Sequence, residues 1–121
     1  MNTAILSLIL AIAPHFGIDA NIAKAIALQE SSLNPRAIGP VGEIGLFQVR
    51  PKYSKFKRKD LFNPIINIVE GMRMLQFAKK HCKHRKGKTW IVCYNLGVTG
   101  GSKVNYPKKF EYYKKVMRRM K

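Results

Sequence analysis

"ALQESSLNPRAIGPVGEIGLFQVRP", residues Ala27–Pro51, joins the end of one apolar segment to a glycine-rich connection. Working backward, Ile22, Ala23, Ile26, Ala27 and Glu30 recur at helical spacing. A helix from Ala20 to about Ser32 therefore carries an apolar stripe with Glu30 on or beside it. Asp19 is placed to cap its start, and Asn34-Pro35 to end it. Working forward, Gly39, Pro40, Gly42, Gly45 and Pro51 break any long regular element and predict a loop or a short irregular hairpin.

A carboxyl group on an apolar helix face resists ionisation, and the resulting rise in pKa suits a general acid near neutral pH. Glycosidases use such a group to protonate a leaving glycosidic oxygen. Glycines after it let the backbone approach a sugar closely. Gln48, Tyr94 and Asn95 supply hydrogen-bonding groups of the kind that hold saccharides. Spacing alone leaves the plainer alternative open, since most glutamates at helix ends are solvated.

With 121 residues there is room for one domain, residues 1–121, and for a core that needs neither metal nor disulfide. The charge is unusual: 23 Lys and Arg stand against 6 Asp and Glu, a formal +17. Three tracts, Arg50–Lys59, Lys79–Lys88 and Lys103–Lys121, hold most of the cations. Such a field gathers polyanions, whether nucleic acid, anionic lipid or anionic wall polymer, and charge does not choose among them. Cys82 and Cys93 are too few for a disulfide framework, and two free, partly buried thiols are favoured over a single bridge. His15, His81 and His84 are not paired with carboxylates at ligand spacing, so neither metal nor cofactor is expected.

The apolar run Ala4–Ala13 has the length of a signal-peptide core, and Ala11-Ile12-Ala13 imitates a cleavage site. No Lys or Arg precedes it, so it is read as a buried first helix, Thr3 to Phe16, broken by Gly17. It is too short to span a membrane. "YSKFKRKDLF" reads as a basic surface connection. Asn63-Pro64 starts a helix running from Ile65 to about Lys80, with Ile65, Ile68, Val69, Met72, Leu75 and Phe77 partly buried. Thr89 caps a short helix stopped by Gly97, "VTGGSKVNYP" is loop, and a last basic helix runs from Pro107 to Met120. The fold class is mainly α.

Five stretches, in order, resemble the catalytic domain of soluble lytic transglycosylases and goose-type lysozymes. "IALQESSLNP" is similar to their Glu-Ser motif, and "GEIGLFQVRP" to their Gly-Leu-Met-Gln loop, with Phe47 where Met is common. "LFNPIINIVEGMRML" resembles their Asn-Ile…Gly helix, "CYNLG" their Ala-Tyr-Asn-x-Gly motif, and "YYKKV" their closing helix. The resemblance implies a lysozyme-like α fold with a Gly-rich loop or small β-hairpin after the catalytic helix. It also implies a monomeric enzyme that cleaves peptidoglycan glycan strands.

By that resemblance Glu30 is the acid/base and Ser31 supports the helix end. Tyr94 orients or hydrogen-bonds near Glu30. Gly45, Leu46, Phe47, Gln48, Asn95 and Tyr112 join Ser31 and Tyr94 as substrate-binding residues. Gly39 stands where many members have serine, and Met74 where many have tyrosine. Glu43 stands where a small residue is usual. If it faces Glu30 it can activate a water and give a lysozyme-type hydrolytic product, although a solvated charge, or one bound to Arg36 or Arg50, is the preferred reading.

Two other classes explain the charge. One is a basic helical domain that binds nucleic acid; the other is a membrane-active cationic protein. The first does not explain Glu30 with its ordered loop, so no specific nucleic acid is expected; the second would keep the enzyme fold only as a vestige. The basic patches are expected to hold the enzyme on an anionic cell-wall or outer-membrane surface. A basic wall enzyme without an evident signal fits a bacteriophage lysis or entry protein, held in the host cytoplasm before release or carried on the virion. A domain that opens the wall for a secretion machine is the other fit.

Overall fold

The computed structural model describes residues 2–121. Six α-helices form it: α1 (Thr3–Ile12), α2 (Ala20–Ser31), α3 (Arg58–Leu61), α4 (Pro64–His81), α5 (Ile91–Ser102) and α6 (Glu111–Arg119). Among the described residues the only β pairing is two isolated antiparallel bridges, Ile38 to Ile44 and Ile44 to Val49. These make the expected small hairpin, with the Ile44 and Val49 backbones exchanging hydrogen bonds of 2.9 and 3.0 Å. No described helix is long and apolar enough to cross a membrane.

Polar side chains cap α2 and α4, whereas α5 starts without the expected Thr89 cap, the Thr89 hydroxyl going to the Lys86 carbonyl at 2.8 Å. Asp19 accepts from the amides of Asn21 and Ile22 at 2.8 and 3.2 Å. Asn63 does the same for Ile65 and Ile66, with Pro64 needing no such partner. Helix α2 then buries Ile22, Ala23, Ala25, Ile26 and Ala27. Its small side chains let α1 and α6 pack against it. Helix α4 packs on α1 and α5, and Ile5, Ile9, Ile68, Met72 and Leu75 join one core.

Several expectations are corrected. Helix α2 stops at Ser31, before Asn34-Pro35, because Ser32 and Leu33 turn left-handed and put Leu33 into the core. The connection after Pro51 is not plain coil: Pro51–Tyr53 is a 3₁₀ turn, and α3 buries Leu61. Ile65 and Phe77 are 53% and 58% exposed, so the buried stripe of α4 is narrower than its apolar residues suggest. Gly97 leaves helical geometry (φ 79°, ψ 163°) and ends the first half of α5, as expected, but a second helical stretch then runs to Ser102 where loop was predicted. A Cβ on Gly101 would lie 2.6 Å from the Cys93 Cα, so only glycine allows that return. The last segment is split as well, with a 3₁₀ turn at Pro107–Lys109, an extended Phe110 and then α6.

The cysteines are bonded, which overturns the free-thiol expectation. Cys82 and Cys93, both buried, tie the end of α4 to the first turn of α5 across a sequence separation of 11. Each thiol alone reads as a small apolar core residue; the pairing comes from the antiparallel packing of two helices. Reduction, or Cys82→Ser with Cys93→Ser, is expected to lower unfolding free energy by about 2–4 kcal/mol. Urea titration with and without reductant measures this, and unchanged midpoints would show the bond to be irrelevant to stability.

Candidate active site

Glu30 occupies the last turn of α2, half-buried, on the wall of a cavity of ≈ 710 Å³. Burial pushes its carboxyl up to about 7 from an ordinary 4.5. The Tyr112 hydrogen bond partly offsets this, and the Glu43 charge adds to it. The Tyr112 hydroxyl donates to Glu30 Oε2 at 2.5 Å. Burial, then the Glu30 charge, raises both Tyr94 and Tyr112 well above the ordinary tyrosine range. Both therefore stay neutral hydrogen-bond donors.

Around Glu30 the glycine-rich loop is fixed by side chains from three helices. From α2, Ser31 Oγ reaches the carbonyls of Ala27 and Leu46 at 3.0 and 2.9 Å. From α5, the Tyr94 hydroxyl donates to the Phe47 carbonyl at 2.6 Å. From α4, Asn67 accepts from the Phe47 amide at 2.9 Å and donates to the carbonyls of Ile44 and Leu61, each at 2.8 Å. Gly45 (φ 77°) comes so close to Asn67 that a Cβ would lie 2.4 Å from its Nδ2. Gln48, itself at φ 51°, braces the loop by donating to the Gly45 and Ala37 carbonyls at 3.0 and 3.3 Å.

The structure brings Glu30, Glu43, Gln48, Tyr94 and Asn95 to one cavity. It places other expected substrate contacts elsewhere. Leu46 and Phe47 are fully buried and Gly45 is covered, so they serve the site through backbone and packing rather than through side-chain contact with a sugar. Ser31 and Tyr112 are not on the cavity wall; Tyr112 touches Glu30 itself. The Tyr94 hydroxyl is spent on the loop carbonyl, not on Glu30. Glu43 Oε1 accepts from the Val41 amide at 2.9 Å. Neither Arg36 nor Arg50 lies within ion-pair distance of it: among the described residues, the ion pairs are those of Glu111 with Lys114 and Arg118.

The sequence reading assigned no role to Asn67, Glu70 or Gly71. Asn67 sits on the buried face of α4, where a polar residue must have a structural partner, and that register was the available signal. Gly71 gives room to Phe47, whose Cγ would be 2.5 Å from a Cβ there. Glu70 is buried and lines the same cavity.

A buried, proton-holding carboxyl beside a rigid backbone loop in an open cavity is equipped to protonate a leaving group. The family model of the transglycosylase SLT domain matches residues 7–116. No curated protein and no solved structure matches the chain.

Proposed function

This chain belongs to the transglycosylase SLT domain family, enzymes that lyse cell-wall peptidoglycan, and from that premise we propose that Glu30 is its single acid/base. The observation that carries this is the Glu30 carboxyl, held by Tyr112 and keeping its proton up to about pH 7 beside the cavity. The bond cut is the β-1,4 link between N-acetylmuramic acid and N-acetylglucosamine. Glu30 gives its proton to the glycosidic oxygen as the bond to the muramic anomeric carbon breaks. The muramic acetamido oxygen closes on that carbon. The C6 hydroxyl then displaces the acetamido oxygen, and its proton returns to Glu30. No water is consumed, and the product carries a 1,6-anhydro end; this substrate-assisted route needs no second carboxylate.

Glu43 supports a second reading, because it lines the cavity and its charge is felt at Glu30. Were it to activate a water, the product would be a reducing end. Mass spectrometry of fragments released from purified peptidoglycan separates the two: anhydro-muramic ends are expected, and reducing ends, one water heavier, would transfer the role to Glu43. Fragment release that ignores Glu30 would overturn the assignment.

The pH profile is a further expected result. Glu30 must hold its proton at the start, so lysis falls as pH rises through about 7. The Tyr112 hydrogen bond favours the ionised carboxyl and so lowers its pKa. Tyr112→Phe should therefore move the alkaline limb upward, with a lower maximum rate because the carboxyl is less firmly held. An unmoved limb would show that another group titrates.

The basic surface completes the proposal as a means of retention on polyanionic wall or outer membrane. A phage lysis or entry role rests on that charge, and its presence in purified virions is the check.

A further inference from the structure

The cavity has a feature that proton transfer does not use. In a chain with 23 cations and 6 acidic residues, Glu30, Glu43 and Glu70 all line it. Glu70, in α4, is 5% exposed, and its Oε1 has no hydrogen-bond partner. Among the described residues no Lys, Arg or His comes within ion-pair distance of Glu43 or Glu70. Arg50 and Arg73 line the same cavity, yet the Arg73 guanidinium lies over the Phe16 ring, 5.9 Å from its centroid.

Leaving a buried carboxylate without a partner costs several kcal/mol, so such a group is costly to keep unless something pairs with it. Phe77, two turns along the same face of α4, is 58% exposed and also lines the cavity. Its ring packs on that of His81, with centroids 4.3 Å apart, and an aromatic ring on a wall that also carries carboxylates suits a compact cation, through ring and charge together. Resting on the peptidoglycan reading above, we propose that Glu70, Glu43 and Phe77 form a subsite for a primary ammonium group of the wall polymer. Peptidoglycan offers that group on glucosamine units lacking their acetyl and on diamino-acid side chains outside cross-links.

Capping the free amines of purified peptidoglycan with acetic anhydride gives the paired substrate. Wild-type protein should release fragments from the uncapped wall about tenfold faster at limiting substrate, the strength of a charge-assisted bond. The difference should lie in KM rather than kcat. In Glu70→Gln and Glu70→Met the two rates should converge while Tm holds, because Oε1 makes no hydrogen bond for either variant to lose. A wild-type protein indifferent to capping, or a preference that survives in both variants, overturns the subsite. So does a large fall in Tm in both, which would make Glu70 a structural group.

Binding to Glu30→Gln needs no cleavage and keeps this test separate from the catalytic proposal. A glucosamine oligomer should bind more tightly than its N-acetylated counterpart if the sugar amine is the source. A stem tripeptide with a free diamino-acid side chain should bind if the peptide amine is. Binding of neither probe above the N-acetylated oligomer overturns the proposal.

Discussion

Glu30→Gln should lower the release of soluble fragments from purified peptidoglycan by about a thousandfold or more, within reach of the full general-acid contribution. The substitution keeps shape and still offers an oxygen to the Tyr112 hydroxyl, but it has no proton to give. The fold should survive it, because glutamine resembles the neutral form that burial already favours. Linkage provides an independent check. Between about pH 4.5 and 7 the folded protein keeps a proton on Glu30 that the unfolded chain releases. That contribution to stability is complete below 4.5 and is lost as pH rises through 7. Urea titrations should show this decline in wild type and its absence in the variant. Retained lysis in Glu30→Gln would end the acid/base assignment.

Asn67→Ala is expected to have the largest effect on folding. One side chain, almost fully buried, makes three hydrogen bonds of 2.8–2.9 Å to the Phe47 amide and to the Ile44 and Leu61 carbonyls. Truncation strands the Phe47 amide and the Leu61 carbonyl inside the core, while the Ile44 carbonyl keeps its bond from the Val49 amide, and it opens a small cavity. At about 1–3 kcal/mol for each of the two stranded groups, a total of about 2–6 kcal/mol follows, a large share of an ordinary domain's stability. Asn67→Asp should be at least as damaging: it keeps the acceptor for Phe47 but buries an oxygen against the Ile44 and Leu61 carbonyls. Denaturant midpoints measure the series. A loss below about 1 kcal/mol would mean that the loop finds other partners.

Local chemistry made much of this legible. Asp19, Gly17, Asn63 and Pro64 act within one turn of themselves, and the structure keeps each in its expected place. The position of Glu30 followed from helical spacing, and its company from motifs in order. What escaped were partners set by packing. Tyr112 reaches Glu30 across 82 positions, and nothing near Tyr112 says where its hydroxyl goes. The disulfide needed α4 and α5 laid antiparallel. Gly97 breaks the helix as expected; what escaped is the helical stretch after it, which folds back so that Gly101 packs on Cys93. Leu46 and Phe47 share a motif with Gln48, which does reach the cavity, yet the hairpin turns both side chains inward.

The 82-residue reach of the Tyr112 hydroxyl also bears on when the enzyme becomes complete. Synthesis proceeds from the N-terminus, so Glu30 leaves the ribosome long before the residue that holds its carboxyl. Until α6 docks on α2, the nascent chain has an acid without its clamp. On the acid/base proposal, translation cut short ahead of Tyr112 would leave Glu30 without its hydrogen-bond partner, so α6 is the segment that completes the proposed site.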